Sequence, residues 1–126
     1  MALQLTTHYL GDVSIVDCTG RILLGEESAA IRDHVKKLLA ESPNVVLNLA
    51  QVTYVDSTGV GTLTGLYTSA QAAHGSIKLA GLTTRVRDLL QITKLVTIFE
   101  IYDTPEQAAA SFNKAAGASA PSEWDS

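Results

Sequence analysis

Two hydroxyl side chains stand directly behind a carboxylate in Val55-Asp56-Ser57-Thr58-Gly59-Val60-Gly61. Ahead of them the apolar run Val45-Val46-Leu47-Asn48-Leu49 reads as a strand buried on both faces, and behind them Val60, Leu63, Tyr67 and Ala70 recur at helical spacing. The cluster therefore falls at a helix N-terminus, where backbone N–H groups lack intrahelical partners and the macrodipole favours an anion. Asp56, Ser57 and Thr58 are all competent N-caps, and capping explains one of them rather than three. Hydroxyls on a loop at the C-terminal end of a strand also suit the attachment of a phosphate, so the residues alone leave capping and phosphorylation both open.

Other chemistries fit the motif less well. A nucleophile elbow wants glycine two residues before and after the serine, and Val55 occupies the first of those places. The histidines offer no evident base: His8 reads as strand, His34 as helix, and His74 as the end of the next helix. Asp56-Ser57-Thr58-Gly59 has one residue too many for an aspartic protease, which also needs two such lobes. Gly59-Val60-Gly61 is followed by Thr64 where a dinucleotide site needs its third glycine, and no metal-ligand spacing is present. We expect no enzyme, no cofactor and no metal.

The elements that must position this cluster can be read in order. Leu3 to Leu10 and Val13 to Thr19 read as strands joined at Gly11-Asp12 in a β-hairpin. Gly20 to Gly25 reads as a loop, and Ile31, Val35, Leu38 and Leu39 make the apolar stripe of a helix from about Glu26 to Glu41. The strand at 45–49 and a helix from about Ser57 to Ala73 follow, with Gly75 its C-cap. Gly61 and Gly65 share one face of that helix, which suggests close packing on the sheet. Ile77 to Ala80 reads as a strand, Val86, Leu89 and Leu90 as a short helix, and Thr97 to Tyr102 as an alternating strand. Thr104-Pro105-Glu106-Gln107 carries the signals of a helix start, with Phe112 facing inward. The sum is an α/β fold: an N-terminal hairpin, then strands alternating with helices that cover a mixed sheet.

At 126 residues, 46% hydrophobic and 17% charged, the chain reads as one globular domain over 1–116 with a flexible tail over 117–126 that contains Trp124. A net charge of −4 without a basic run argues against nucleic acid as a partner. No stretch approaches the length of a membrane span, and the N-terminus lacks the marks of an export signal. The single Cys18 allows no internal disulfide and reads as a small core residue, consistent with a cytoplasmic location.

With its elements in this order the sequence resembles the STAS domain, the fold of bacterial anti-sigma factor antagonists. Residues 55–61 resemble that family's Asp-Ser-Ser/Thr-Gly-Leu/Val-Gly pattern, and Leu79-Ala80-Gly81-Leu82 through Leu89-Leu90 to Phe99 are similar as well. The resemblance implies that Ser57, the serine directly after the aspartate, is phosphorylated by an anti-sigma factor that is itself a serine kinase, with Thr58 the alternative acceptor. It implies that the unphosphorylated protein binds that factor and frees a sigma factor, and that a phosphatase resets the switch. Asp56, Ser57, Thr58, Gly59, Arg21, Leu23 and Leu24 would then face the partner. Many antagonists carry Gly-x-Leu/Ile-Asp after the second strand, whereas Gly20-Arg21-Ile22 here leads to Leu23. The other reading is a STAS accessory or interaction module of a transport or signalling complex, or a small-ligand sensor, with no phosphoswitch.

Overall fold

The computed structural model describes residues 3–118, with side chains described as far as Phe112. Leu3–Leu10 (β1) and Val13–Ile22 (β2) form an antiparallel hairpin that pairs Leu10 with Val13. Gly11 holds the positive φ of 61° that the first position of such a turn demands. The chain continues as Glu26–Glu41 (α1), Asn44–Val55 (β3), Ser57–Ala72 (α2), Ser76–Ala80 (β4) and Thr84–Ile92 (α3). A 3₁₀ turn at Leu95–Thr97 leads to Ile101–Tyr102 (β5) and Pro105–Ala118 (α4). The sheet runs β1-β2-β3-β4-β5, with every pairing after the hairpin parallel.

Strand alternation divides the interior into two layers. Val16, Cys18, Ile22, Leu47, Leu49, Val52 and Leu79 face α1, α2 and α3 and join Ile31, Val35, Leu63, Leu66 and Leu90 in the main core. The opposite face is smaller: Val13, Ile15, Val46 and Ala80 meet Ala108, Ala109 and Phe112 of α4. Buried Lys78 also points to this face. Its ammonium donates to Ser111 Oγ at 2.6 Å, lies 3.2 Å from Glu100 Oε1, and sits 4.2 Å from the Phe112 ring centroid. A fully neutral environment would not hold that charge, so the ion pair, hydroxyl and ring together offset its desolvation. The hydroxyl of Tyr102 and the ammonium of Lys78 both hold the Glu100 carboxyl below its usual range.

Several elements differ from the sequence reading. β2 runs to Ile22 and β3 to Val55, so the loop after the hairpin shrinks to Leu23–Gly25 and the central motif starts inside a strand. Register shifts between β2 and β3 near Thr19 and Arg21 carry the pairing past polar residues that break the apolar run. The strand expected over 97–102 is cut to Ile101–Tyr102, because Leu95–Thr97 forms a 3₁₀ turn that turns Leu95 and Phe99 into the main core. At the end of α2 the left-handed residue is His74, with φ 58°, rather than Gly75. His74 N–H donates to the Gln71 carbonyl and Gly75 N–H to the Ala70 carbonyl, a Schellman closure one residue earlier than expected. Gly75 is needed for space: a Cβ there would lie 2.5 Å from the Pro43 carbonyl oxygen. Gly61 and Gly65 are not packed closely on the sheet, since a Cβ at either meets nothing within 4 Å. Thr104 caps α4 through Gln107 N–H at 3.1 Å, and Phe112 is buried as expected. Gly117 and Ala118, expected to start the tail, close α4, and the rest of the expected tail, Trp124 included, lies outside the described residues.

Two outcomes follow from this packing. Gly61→Ala stabilises the protein by about 0.5–1 kcal/mol because it removes helix-interior glycine at no steric cost, whereas Gly75→Ala destabilises it by about 1–3 kcal/mol through overpacking; urea denaturation of the two variants checks both signs. Burial, reinforced by Asp17, pushes the Cys18 thiol from its ordinary 9.0 up to about 12. Between those values the unfolded chain loses a proton that the native chain keeps, so the stability present below pH 9.0 is lost as pH rises toward about 12. Urea denaturation across that alkaline range shows a smaller loss in Cys18→Ala than in the wild type.

Candidate functional site

The C-terminal ends of β2 and β3 lie side by side, pairing Ile22 with Val55, and both chains leave the sheet there. Asp56 takes extended backbone geometry and is the N-cap of α2. Its Oδ1 accepts from Gly59 N–H at 2.7 Å, and its Oδ2 accepts from Leu24 N–H at 3.0 Å. Its own N–H donates to the Ile22 carbonyl at 3.2 Å. One residue thus joins the first turn of α2 to the β2–α1 loop. The loop is closed from its other side by Ser28, whose backbone N–H and hydroxyl both donate to the Leu23 carbonyl. Gly25 supplies the positive φ of 98° at which α1 begins.

Gly59 sits where these elements crowd together. A Cβ on it would lie 2.4 Å from the Ile22 carbonyl oxygen and 2.7 Å from Val55 Cγ1. Only a residue without a side chain lets the first turn of α2 approach the end of β2 this closely.

Because Asp56 supplies the cap, the two hydroxyls beside it are spared that role. Ser57 is exposed, Thr58 is half-buried, and neither hydroxyl makes a hydrogen bond among the described residues. The structure brings Asp56, Ser57, Thr58 and Gly59 together with the backbone of Leu24. Leu24 projects its side chain to solvent, 71% exposed, while Leu23 is half-buried. Arg21 is exposed in register with Tyr54 and is linked to the cluster only through the strand pairing.

A groove of about 650 Å³ opens between the start of α2 and α3. Tyr54, Ser57 and Val60 line one wall, and Arg85, Leu89 and Ile92 line the other. Sequence reading missed the α3 wall. Its signal was Ile92, 79% exposed, an apolar residue off the stripe that buries Val86 and Leu90. No histidine lines the groove: His8 pairs with Asp17 at 3.2 Å, His34 bonds Thr7, and His74 ends α2. Among the described residues no three His, Cys, Asp or Glu side chains gather as metal ligands, and no helix is long and apolar enough to cross a membrane.

Replacing Asp56 by Ala removes the cap and the tie to the loop together. We expect a loss of about 1–2 kcal/mol in urea denaturation, with faster amide exchange at both Gly59 and Leu24. Asp56→Asn, which keeps one acceptor, loses less.

Comparison with known proteins bears on this arrangement. The anti-sigma-B factor antagonist of Bacillus subtilis is 32% identical over 71 residues, 56% of this chain and 65% of that protein. The chain therefore spans just under two thirds of the length of that relative. Among solved structures, an anti-sigma factor antagonist from Mycobacterium paratuberculosis superposes with a TM-score of 0.76 at 21% identity, over 86% of this chain and 92% of that one. The Bacillus cell fate determinant SpoIIAA, solved in its phosphorylated form, superposes with a TM-score of 0.66 at 19% identity, over 88% and 99%. These two likenesses establish a common fold. The STAS domain family matches residues 4–108, from β1 to the first turn of α4, and the chain belongs to that family.

Proposed function

We propose that this chain is an anti-sigma factor antagonist that changes partners through phosphorylation of Ser57. In this reading the unit spanning residues 1–116 acts by binding and not as an enzyme. Its partner is an anti-sigma factor with serine kinase activity, a phosphatase restores the unmodified form, and the site of action is the cytoplasm. Sigma-factor-dependent transcription is the process regulated.

The observation that carries the reading is the division of labour at the start of α2. Asp56 uses both carboxylate oxygens to hold the backbone, which leaves the Ser57 hydroxyl exposed and unbonded among the described residues. A phosphate on Ser57 therefore breaks no hydrogen bond among them. Thr58, half-buried, is the less accessible acceptor. The similarity to the Bacillus subtilis antagonist and the phosphorylated form of SpoIIAA support the same view.

The physics of the switch is local. Phosphorylation adds about −1.5 to −2 charge next to Asp56, and in a closed interface that charge meets both like-charge repulsion and a desolvation cost. The free protein tolerates it, because the helix N-terminus favours negative charge and the side chain stands in water. Exposed Leu24 and Ile92 flank the site and give a partner apolar surface to cover when the serine is neutral.

The test is a pull-down from native lysate with wild type, Ser57→Ala and Ser57→Asp as baits. We expect a kinase-domain protein with wild type and Ser57→Ala, and a reduction of about tenfold or more with Ser57→Asp, equivalent to about 1.4 kcal/mol. Recovery of the same transporter subunits by all three baits would overturn the switch in favour of an accessory module.

A further inference from the structure

We propose that Arg85 is the internal counter-charge for phosphorylated Ser57, so that modification straps α2 to α3 across the groove. The inference rests on the reading of Ser57 as the phosphoacceptor and adds what the phosphate does next.

Ser57 and Arg85 face the same groove from opposite walls, and Arg85 is the only cation among its lining residues. Its guanidinium is exposed and makes no ion pair or hydrogen bond among the described residues. Two carboxylates share the groove with it. Asp56 has both oxygens engaged by backbone N–H groups, and Asp88, one helical turn from Arg85, forms no ion pair with it. Arg85 therefore carries an uncommitted positive charge in the same groove as a neutral hydroxyl.

Phosphorylation changes that balance. A phosphoserine brings close to two negative charges and three acceptor oxygens, and it suits the planar donor fork of arginine better than a single carboxylate does. The guanidinium then has a partner that outcompetes Asp88. A pair formed across the groove lies over Val60 and Leu89, which line its walls, and withdraws them from any partner. Unmodified Ser57 offers no charge to hold Arg85, so the strap exists only in the phosphorylated state. Phosphorylation would thus block binding twice, by charge and by covering apolar surface.

The test installs phosphoserine at position 57 by genetic code expansion, which needs no native kinase, and follows the second phosphate ionisation by ³¹P NMR. A neighbouring cation favours the dianion, so Arg85→Gln should raise that pKa by about half a unit or more relative to wild type. Arg85→Lys should keep most of the wild-type value, and Asp88→Asn should not raise it. Arg85 is exposed, so its variants should fold, and circular dichroism checks each of them. Coincident titrations of wild type and Arg85→Gln would overturn the pair. Finding Ser57 unphosphorylated in cells would instead overturn the acceptor reading and leave the titration result standing.

Discussion

A single carboxylate holds together the corner where β2, β3 and α2 meet. Asp56 accepts one backbone N–H from its own helix and another from the loop that follows β2. Among the described residues, neither segment is otherwise tied to the other by side-chain hydrogen bonds. A charged acceptor satisfying two backbone donors is stronger than a neutral one, and it acts where the helix dipole already favours an anion. The consequence is positional: Ser57 and Thr58 are delivered to the same point in space as Leu24, thirty-odd residues away in sequence.

The same interaction explains why the proposed modification of Ser57 needs no rearrangement of the backbone. Capping usually consumes a hydroxyl when a serine or threonine starts a helix. Here the aspartate takes that task, and the hydroxyl that follows is left without a hydrogen bond among the described residues. Gly59 completes the arrangement by letting the helix come close to the Ile22 carbonyl, so the corner is compact and its geometry is set by backbone atoms. On the proposed reading, phosphorylation of Ser57 changes the charge of this corner more than its backbone shape.

The scaffold behind the corner is asymmetric. Large aliphatic residues fill the layer under α1, α2 and α3, whereas the layer under α4 is built from alanines, two valines, one isoleucine and a phenylalanine. Buried Lys78 partly compensates on that side, since its ion pair and its contact with the Phe112 ring fasten α4 to β4 and to the segment before β5. The corner at Asp56 stands over the better-packed layer, next to Ile22, Val52 and Val55. The proposed recognition surface sits on the ends of deeply buried strands, which keep its backbone fixed while its side chains remain free.

Much of this was legible in the sequence. The hairpin, the bounds of α1, the start of α2 and the cap of α4 follow from local signals: a Gly-Asp turn, an apolar stripe, a cluster of capping residues, and Thr-Pro ahead of a helical pattern. Family resemblance added the expectation that Ser57 matters. Local signals failed where pairing decided the outcome. β2 and β3 continue through polar residues because each finds its neighbour's backbone there, and the segment before β5 is pulled out of the sheet because Leu95 and Phe99 gain more by entering the core. The glycines show the same limit, since spacing suggested tight packing at Gly61 and Gly65 whereas the crowded positions are Gly59 and Gly75. The sequence by itself determined the order of elements and the chemistry of the motif, both of which depend on neighbours along the chain. Only the tertiary structure decided which of three capping residues caps, that Leu24 N–H binds the same carboxylate, and that Arg85 lines the same groove as Ser57, because those depend on atoms brought together by strand pairing and helix packing.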